Sequence, residues 1–204
     1  MDRTKAVTRA RFLTLIGGGA LLGYGGARVW GRAIKGWRYN TVEKPVPNFD
    51  PEEYRLVVDG MVERPLTLTY SELRALPAIR QVSDFHCVEG WGVDDVQWDG
   101  VRLQTIIDLV RPTSTAKYVT FHSLGDLYRD SLSMQQARLP DALVAYDMDG
   151  EPLRVDHGLP LRLVMPRMFG YKGPKWLTRI EFVDDQDTGY WEARGWRMDA
   201  FINA

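Results

Sequence analysis

After its N-terminal quarter, the chain is built of short hydrophobic segments that proline, glycine and acidic residues interrupt at close intervals. Apolar residues have helical spacing over 103–110, a segment that Pro112 brings to an end. Thr69 and Glu72 have the spacing of a capping box, which predicts a second short helix that ends before Pro77. Because both helices are short and strands must supply the rest of the core, the pattern predicts an α+β fold that is rich in strands.

The strands are predicted from alternating or β-branched apolar runs between turn residues. They are expected at 54–59, 66–69, 79–87, 117–122, 128–132, 143–148, 161–165 and 176–183. Asp99 and Gly100 are predicted to form a turn. The sequence has no repeat with a period of about 20–50 residues, so solenoids and propellers are excluded. It also lacks the glycine-rich turn between a strand and a helix that binds dinucleotides.

The first forty residues differ in charge from the remainder of the chain. They contain 8 of the 26 lysines and arginines but only 1 of the 27 acidic residues, so residues 41–204 carry a net charge of −8. Because this larger part is acidic and its basic residues are scattered, the chain lacks the basic surface that nucleic-acid binding requires. We therefore exclude nucleic acid as a partner.

Residues 1–40 are predicted to be an export signal or membrane anchor. An uncharged run of 16 residues over 12–27 follows Arg9 and Arg11, which resemble a twin-arginine export motif interrupted by Ala10. As a helix, this run would span roughly 24 Å, less than the ~30 Å hydrocarbon core unless flanking side chains snorkel. The expected location is periplasmic or otherwise extracytoplasmic, with residues 12–27 as the tether. The alternative is a buried, glycine-rich helix of a cytosolic protein.

The single cysteine, Cys87, limits the chemistry available to the chain. One cysteine excludes an intrachain disulfide, a CxxC zinc motif and a CxxCH haem attachment site. Cys87 is predicted at the end of a strand, beside His86 and close to Glu89 and Trp91. A lone cysteine is often a small buried hydrophobic residue. These polar and bulky neighbours instead favour a thiolate that acts as a nucleophile or as a soft ligand for a transition metal.

A basic, glycine-rich segment over 157–176 is the second candidate site. Its cations alternate with glycines and aromatic residues and are Arg162, Arg167, Lys172 and Lys175. Glycines allow close backbone approach, and clustered lysine and arginine side chains bind phosphate groups. The segment therefore predicts a site for an anionic ligand such as a phosphate or pyrophosphate. An ordinary solvated loop is the alternative.

A zinc site formed by Cys87, His122 and His157 is a third, disfavoured interpretation. Successive members of this set are 35 residues apart, so the sequence shows no local chelate spacing. A histidine on a strand, such as His122, is more often hydrogen-bonded within the protein than bound to a metal.

Several short motifs occur in one order along the chain. They are CVEGW at 87–91, WDGV at 98–101, AKYV at 116–119, GEPL at 150–153, HGLPLRLV at 157–164, GYKGPKW at 170–176 and GYWE at 189–192. Together they resemble the molybdopterin-binding domain of the sulfite oxidase family, from about residue 50 to the end. Within that family, the chain is similar to small bacterial sulfite-oxidase-like oxidoreductases and to the catalytic subunit of periplasmic methionine sulfoxide reductase.

The resemblance implies a sulfite oxidase-like molybdopterin-binding fold over 41–204 and a role for particular residues. It implies that Cys87 is the catalytic residue and the single protein ligand to molybdenum, alongside the pterin dithiolene. The further cofactor contacts that it implies are Ser123, His157, Arg162, Gly173, Pro174 and Lys175. Arg162 and Lys175, with the backbone between Gly173 and Pro174, would hold the pterin and its terminal phosphate. His157 and Ser123 stand where the methionine sulfoxide reductase branch has asparagine and threonine.

The resemblance also implies a molybdenum-cofactor-dependent oxidoreductase that transfers an oxygen atom. True sulfite oxidases have arginines soon after the metal-binding cysteine, whereas Glu89 and Trp91 occupy this part of the present chain. A carboxylate and an indole would repel sulfite and suit a neutral S-oxide, such as methionine sulfoxide. We therefore expect reduction of small or protein-bound S-oxides. The alternatives are sulfite-type oxidation at the same cofactor and a non-catalytic, membrane-tethered binding protein.

An electron donor must also be supplied by another protein. No cysteine besides Cys87 is present in the sequence to bind an iron–sulfur cluster or a covalent haem. In the methionine sulfoxide reductase branch that the chain resembles, the partner is a haem-containing membrane subunit. The resemblance therefore implies a membrane electron-donor subunit of this kind.

Overall fold

The computed structural model describes residues 36–125 and 127–202. The chain divides into two compact units, Met1–Asn40 and Thr41–Ala204, and every helix and strand described below belongs to the second. Among the described residues, no helix combines the length and the apolar character that crossing a bilayer requires. Residues 12–27 lie outside the described residues, so the predicted anchor stays a prediction.

The described part of the second unit, residues 41–125 and 127–202, contains ten strands and three short helices. The strands are β1 (Arg55–Gly60), β2 (Leu66–Thr69), β3 (Ala78–His86), β4 (Gly92–Arg102), β5 (Tyr118–Ser123), β6 (Arg129–Ser133), β7 (Leu143–Met148), β8 (Glu151–Pro152), β9 (Arg162–Val164) and β10 (Leu177–Val183). The helices are α1 (Tyr70–Ala75), α2 (Leu103–Val110) and α3 (Met134–Ala137). Single 3-10 turns occur at Val155–His157, Gly170–Lys172 and Glu192–Arg194.

The strands form two five-stranded sheets. The first has the order β2-β1-β10-β5-β6, in which β1 and β10 are parallel and the other neighbours are antiparallel. The second has the order β3-β4-β7-β8, and β9 also pairs with β7. Because β9 and β10 belong to different sheets, the chain passes from one sheet to the other through residues 165–176, which contain most of the predicted basic segment.

The core is formed by apolar side chains from both sheets and from α2. Leu103, Ile106, Ile107 and Val110 are all buried, as the helical spacing of this segment predicts. In β1, alternate residues point to one face, and Leu56 and Val58 are fully buried. The strand-rich α+β architecture with short helices is therefore confirmed, and so are the two helices predicted from sequence.

The predicted helix start at Thr69 is confirmed in detail. The Thr69 side chain accepts a hydrogen bond from the Glu72 backbone N–H, and the Glu72 carboxylate accepts one from the Thr69 N–H. Both arms of the capping box are thus present.

The predicted turn at Asp99 and Gly100 is wrong. Both residues lie within β4, which pairs with β3 on one side and with β7 on the other. The pairing of β4 with β7 shifts in register between Asp99 and Gly100. A side chain at Gly100 would place its Cβ only 2.3 Å from the Val144 carbonyl oxygen. Glycine is required here because two strands approach closely, and not because the chain turns.

Candidate functional site

Cys87 directly follows β3 and begins a tight turn. Its backbone N–H donates to the Trp91 carbonyl at 2.8 Å, and the Gly90 N–H donates to the Cys87 carbonyl at 3.1 Å. The residue is partly exposed, and its Sγ lies 3.9 Å from Glu89 Oε2, which also accepts a hydrogen bond from the Trp91 indole at 3.2 Å. Cys87 is therefore a partly exposed residue with its thiol beside a carboxylate, and it is not part of the hydrophobic core.

Arg162, Lys175 and His157 come together from three segments. Arg162 begins β9, and its backbone forms an isolated antiparallel bridge with Lys175. The Arg162 guanidinium donates to the His157 carbonyl at 3.3 Å, and Lys175 Nζ donates to the Asp156 carbonyl at 3.1 Å. Pro174 is held beside them because its carbonyl accepts the Leu163 N–H at 3.0 Å. The structure thus places these predicted residues in one cluster, which we call the cation cluster (His157, Arg162, Lys175).

The electrostatics of the cation cluster are set by burial and by repulsion between its basic groups, which the charge of Asp156 only partly offsets at Lys175. Burial, followed by the charges of Arg162, Lys175 and Arg154, lowers the pKa of His157 to about 3, so its imidazole is neutral. Burial lowers the pKa of Arg162 to about 10. Burial and the charge of Arg162 lower the pKa of Lys175 to about 7. A bound anion would offset these costs, because it stabilises the charged forms of both basic groups.

Two buried polar atoms at this site have no hydrogen-bond partner among the described residues. They are Ser123 Oγ, at the end of β5, and Arg162 Nε. The backbone beside Ser123 pairs with the backbone beside Lys175: Leu124 donates its N–H to the Trp176 carbonyl at 2.7 Å. Buried donors are rarely left without partners in native proteins, so both atoms point to a ligand that supplies hydrogen-bonding groups.

Aromatic side chains connect the Cys87 turn to the cation cluster. The Arg162 guanidinium lies 5.5 Å from the ring centre of Phe85 and 5.1 Å from that of Trp98. The Phe85 ring in turn lies 5.7 Å from the Trp91 ring, so it contacts both the turn and the cluster. Phe85, Trp98, Arg162 and Gly173 line a common pocket. These rings were not predicted as site residues, and only the position of Phe85 two residues before Cys87 could have drawn attention to it.

Two of the four cations that the sequence predicted for anion binding are used elsewhere. Arg167 is exposed and pairs with Asp141 at 2.8 Å. Lys172 is fully buried and bonds to Asp130 at 2.5 Å and Glu192 at 2.6 Å. The prediction that they contribute to the anion site is therefore wrong, because carboxylates distant in sequence take up both charges.

The residues considered as zinc ligands have separate surroundings in the structure. His122 Nε2 lies 2.9 Å from Glu181 Oε2, across the pairing of β5 with β10. Over residues 36–125 and 127–202, the structure has no group of three or more histidine, cysteine, aspartate or glutamate side chains arranged to hold a metal ion. His157 lies instead in the cation cluster.

Comparison with known proteins identifies relatives over most of the chain. A family profile described as "Oxidoreductase molybdopterin binding domain" matches residues 43–191. The uncharacterised oxidoreductase YuiH of Bacillus subtilis is 34% identical over 149 residues, which cover 73% of this chain and 75% of that protein.

Two further relatives carry names that include methionine sulfoxide reduction. The protein-methionine-sulfoxide reductase catalytic subunit MsrP of Campylobacter jejuni is 32% identical over 162 residues, covering 72% of this chain and 54% of the relative. A putative protein-methionine-sulfoxide reductase subunit of Azospira oryzae is 36% identical over 151 residues, covering 74% and 57%. The chain therefore spans little more than half the length of these two relatives.

A solved structure shares the fold. The crystal structure of the sulfane dehydrogenase SoxCD from Paracoccus pantotrophus matches with a TM-score of 0.64 at 23% identity, covering 69% of this chain and 41% of that chain. At this level of identity the match shows a common fold and no more.

Proposed function

Since the chain belongs to the family of oxidoreductase molybdopterin-binding domains, we propose that it binds a molybdenum–molybdopterin cofactor and reduces S-oxides. Membership confirms the relationship to sulfite-oxidase-type molybdenum oxidoreductases, their fold and an oxidoreductase activity. The observation that carries the proposal is the partly exposed Cys87 turn, which the Phe85 ring connects to the buried basic side chain of Arg162 and so to the cation cluster.

The residues at this site fit the proposed cofactor. The Cys87 thiolate is a soft donor that suits a transition metal. Arg162 and Lys175, with the backbone of Gly173 and Pro174, would hold the pterin and its phosphate. The unpartnered Ser123 Oγ and Arg162 Nε offer hydrogen bonds to a ligand rich in oxygen and nitrogen. His157 would contribute a neutral imidazole, because its lowered pKa keeps the ring uncharged at physiological pH.

The proposed reaction consumes two electrons and two protons for each S-oxide. The sulfur–oxygen bond breaks, the organic product is the thioether, and the oxygen leaves as water. When bound, the cofactor supplies the redox centre for this oxygen-atom transfer. The chain's own contribution is to hold that centre, to exclude competing anions and to position the substrate.

Glu89 is the residue that we propose to select the substrate. Its carboxylate oxygen lies 3.9 Å from Cys87 Sγ and is held there by the Trp91 indole. A carboxylate held beside the proposed metal ligand would oppose a sulfite dianion but leave the affinity for a neutral S-oxide almost unchanged. The names of the relatives from Campylobacter and Azospira support methionine sulfoxide as the substrate class.

Substrate preference can be measured with purified, cofactor-loaded protein. We expect kcat/KM for methionine sulfoxide, with reduced viologen as donor, to exceed kcat/KM for sulfite with ferricyanide as acceptor. Glu89→Gln removes the negative charge while keeping the shape, and should raise kcat/KM for sulfite by about tenfold. Its effect on the S-oxide should stay below about threefold, since that substrate is neutral.

Asp108→Asn is a matched control, because Asp108 is an exposed carboxylate on α2 and should leave both activities unchanged. A kcat/KM for sulfite above that for every S-oxide tried would favour sulfite-type oxidation instead. Loaded protein that turns over neither substrate would favour a non-catalytic binding protein.

We further propose that residues 1–40 export or anchor the enzyme and that a haem-containing membrane subunit supplies its electrons. The basic residues around the uncharged run 12–27 support an extracytoplasmic, tethered enzyme. A tether would raise the effective concentration of the domain near a membrane partner. Fractionation of cells that express the chain with and without residues 1–38 tests this: soluble cytosolic protein from the full chain would contradict both the tether and the export.

A further inference from the structure

Asp130, Lys172 and Glu192 form a charged triad in the interior of the domain. Lys172 Nζ bonds to Asp130 Oδ1 at 2.5 Å and to Glu192 Oε1 at 2.6 Å. The relative exposures of the three residues are 1%, 0% and 7%, in chain order. They come from β6, from the turn Gly170–Lys172 and from the turn Glu192–Arg194, so the triad joins three segments that are far apart in sequence.

A triad of this kind is not needed to fill the core. Replacing buried ion pairs by apolar residues of similar volume is often neutral or stabilising, because desolvating charges is costly. Charged, hydrogen-bonded groups instead restrict the positions of the residues, since the ammonium must lie where both carboxylates can reach it. The triad therefore fixes the position of the segment that carries Lys172.

That segment leads directly into the proposed cofactor site. Lys172 precedes Gly173, Pro174 and Lys175, whose backbone pairs with β9 through the Leu163 N–H and the bridge to Arg162. A second contact to the same segment comes from Tyr128, which precedes β6.

The Tyr128 hydroxyl, two residues before Asp130, donates to the Tyr171 carbonyl at 2.5 Å. The turn before Gly173 is thus held by a hydrogen bond from Tyr128, which directly precedes β6, and by the ion pair of Lys172 with Asp130 in β6.

The net charge of the triad is also compatible with a nearby site for an anion. Burial, more than any other factor, raises the pKa of Asp130, and the charge of Glu192 adds to the shift while Lys172 opposes it. Asp130 Oδ2 and Glu192 Oε2 are buried and have no hydrogen-bond partner among the described residues. A Cβ at Gly189 would lie 2.3 Å from Glu192 Oε2, so the backbone closes tightly over the carboxyl groups. Protonation of Asp130, which its raised pKa favours, leaves the triad without net charge, so the triad does not offset the attraction of the cation cluster for an anion.

We propose that Asp130, Lys172 and Glu192 are positioning residues that set the geometry of residues 173–175 and thereby the affinity of the domain for the anionic end of its cofactor. This inference rests on the proposed cofactor function. It assigns a role to side chains that do not touch the ligand.

The test compares three variants with the wild type, all expressed in a host that makes the molybdenum cofactor. Lys172→Met removes the ammonium but leaves two buried carboxyl groups, which can prevent folding. The neutral triple variant Asp130→Asn, Lys172→Met and Glu192→Gln keeps the volumes without leaving a charge unpaired. Arg74→Met is the control, because it breaks the Arg74–Asp147 ion pair of 2.8 Å elsewhere in the domain.

Molybdenum and pterin content per chain, and thermal unfolding of cofactor-free protein, are the readouts. We expect the neutral triple variant to unfold cooperatively near the wild-type temperature and to lose at least about tenfold in cofactor content. Arg74→Met should retain full content. A neutral triple variant that folds and retains wild-type content would overturn the inference.

Calorimetric binding of inorganic pyrophosphate to cofactor-free protein separates this inference from the proposed function. Wild-type protein that purifies without molybdenum and pterin would count against the function alone. In that case, equal pyrophosphate affinity of the wild type and the neutral triple variant would overturn the inference, and a loss of about tenfold in the variant would support it.

Discussion

Cys87→Ser should reduce molybdenum-dependent turnover to less than about 1% of the wild-type rate, because substitutions beyond the ligands themselves already cost about 10–100-fold at metal sites. A serine hydroxyl is a harder and more basic donor than a thiolate and does not replace it at a soft metal. Since Cys87 is partly exposed and lies outside the core, the variant should unfold at the wild-type temperature. Turnover with methionine sulfoxide and thermal unfolding are measured on the same preparations.

The pterin content of Cys87→Ser distinguishes loss of the metal ligand from loss of the whole site. Arg162 and Lys175 remain in this variant, so pterin should still be detected. Undiminished turnover would show that Cys87 is not the metal ligand and that its thiol has no role in the reaction.

Arg162→Gln is expected to reduce both pterin and molybdenum content by about 10–100-fold, as the loss of a charge-assisted hydrogen bond to a buried ligand predicts. Arg162 is 4% exposed, and among the described residues its guanidinium donates to the His157 carbonyl and not to a carboxylate. The cofactor-free variant should be at least as stable as the wild type, because burial already disfavours the charge and lowers the pKa of Arg162.

Arg167→Gln is the matched control for this experiment. Arg167 lies five residues further along the chain, is exposed and pairs with Asp141 at 2.8 Å. Its replacement should leave cofactor content unchanged. Equal cofactor content in the two variants would contradict the assignment of Arg162 to the anion site.

Local rules were sufficient for the elements whose stability is local. The capping box at Thr69 and the apolar spacing over 103–110 predicted α1 and α2 because both patterns act within one or two helical turns. Strand β4 was not predicted. It contains acidic residues and Gly100, which resemble turn residues, and it is a strand because β3 and β7 pair with it from both sides.

The candidate site could likewise be predicted only in part, because some of its residues have partners that are distant in sequence. Local composition pointed to Arg162 and Lys175, which the structure brings together. It could not separate them from Arg167 and Lys172, because the carboxylates that pair with those residues lie 26 residues from Arg167 and 42 and 20 residues from Lys172. Ser123 was reached through family resemblance alone, since nothing in its local sequence marks a buried hydroxyl without a partner.

Metal and pterin analysis of the purified protein measures whether this domain carries the proposed molybdenum–molybdopterin cofactor. The protein should be made in a host competent in molybdenum-cofactor synthesis and analysed by plasma mass spectrometry and by fluorescence of the oxidised pterin. We expect molybdenum and pterin in equal amounts, one of each per chain. Stoichiometric zinc without molybdenum or pterin would contradict it.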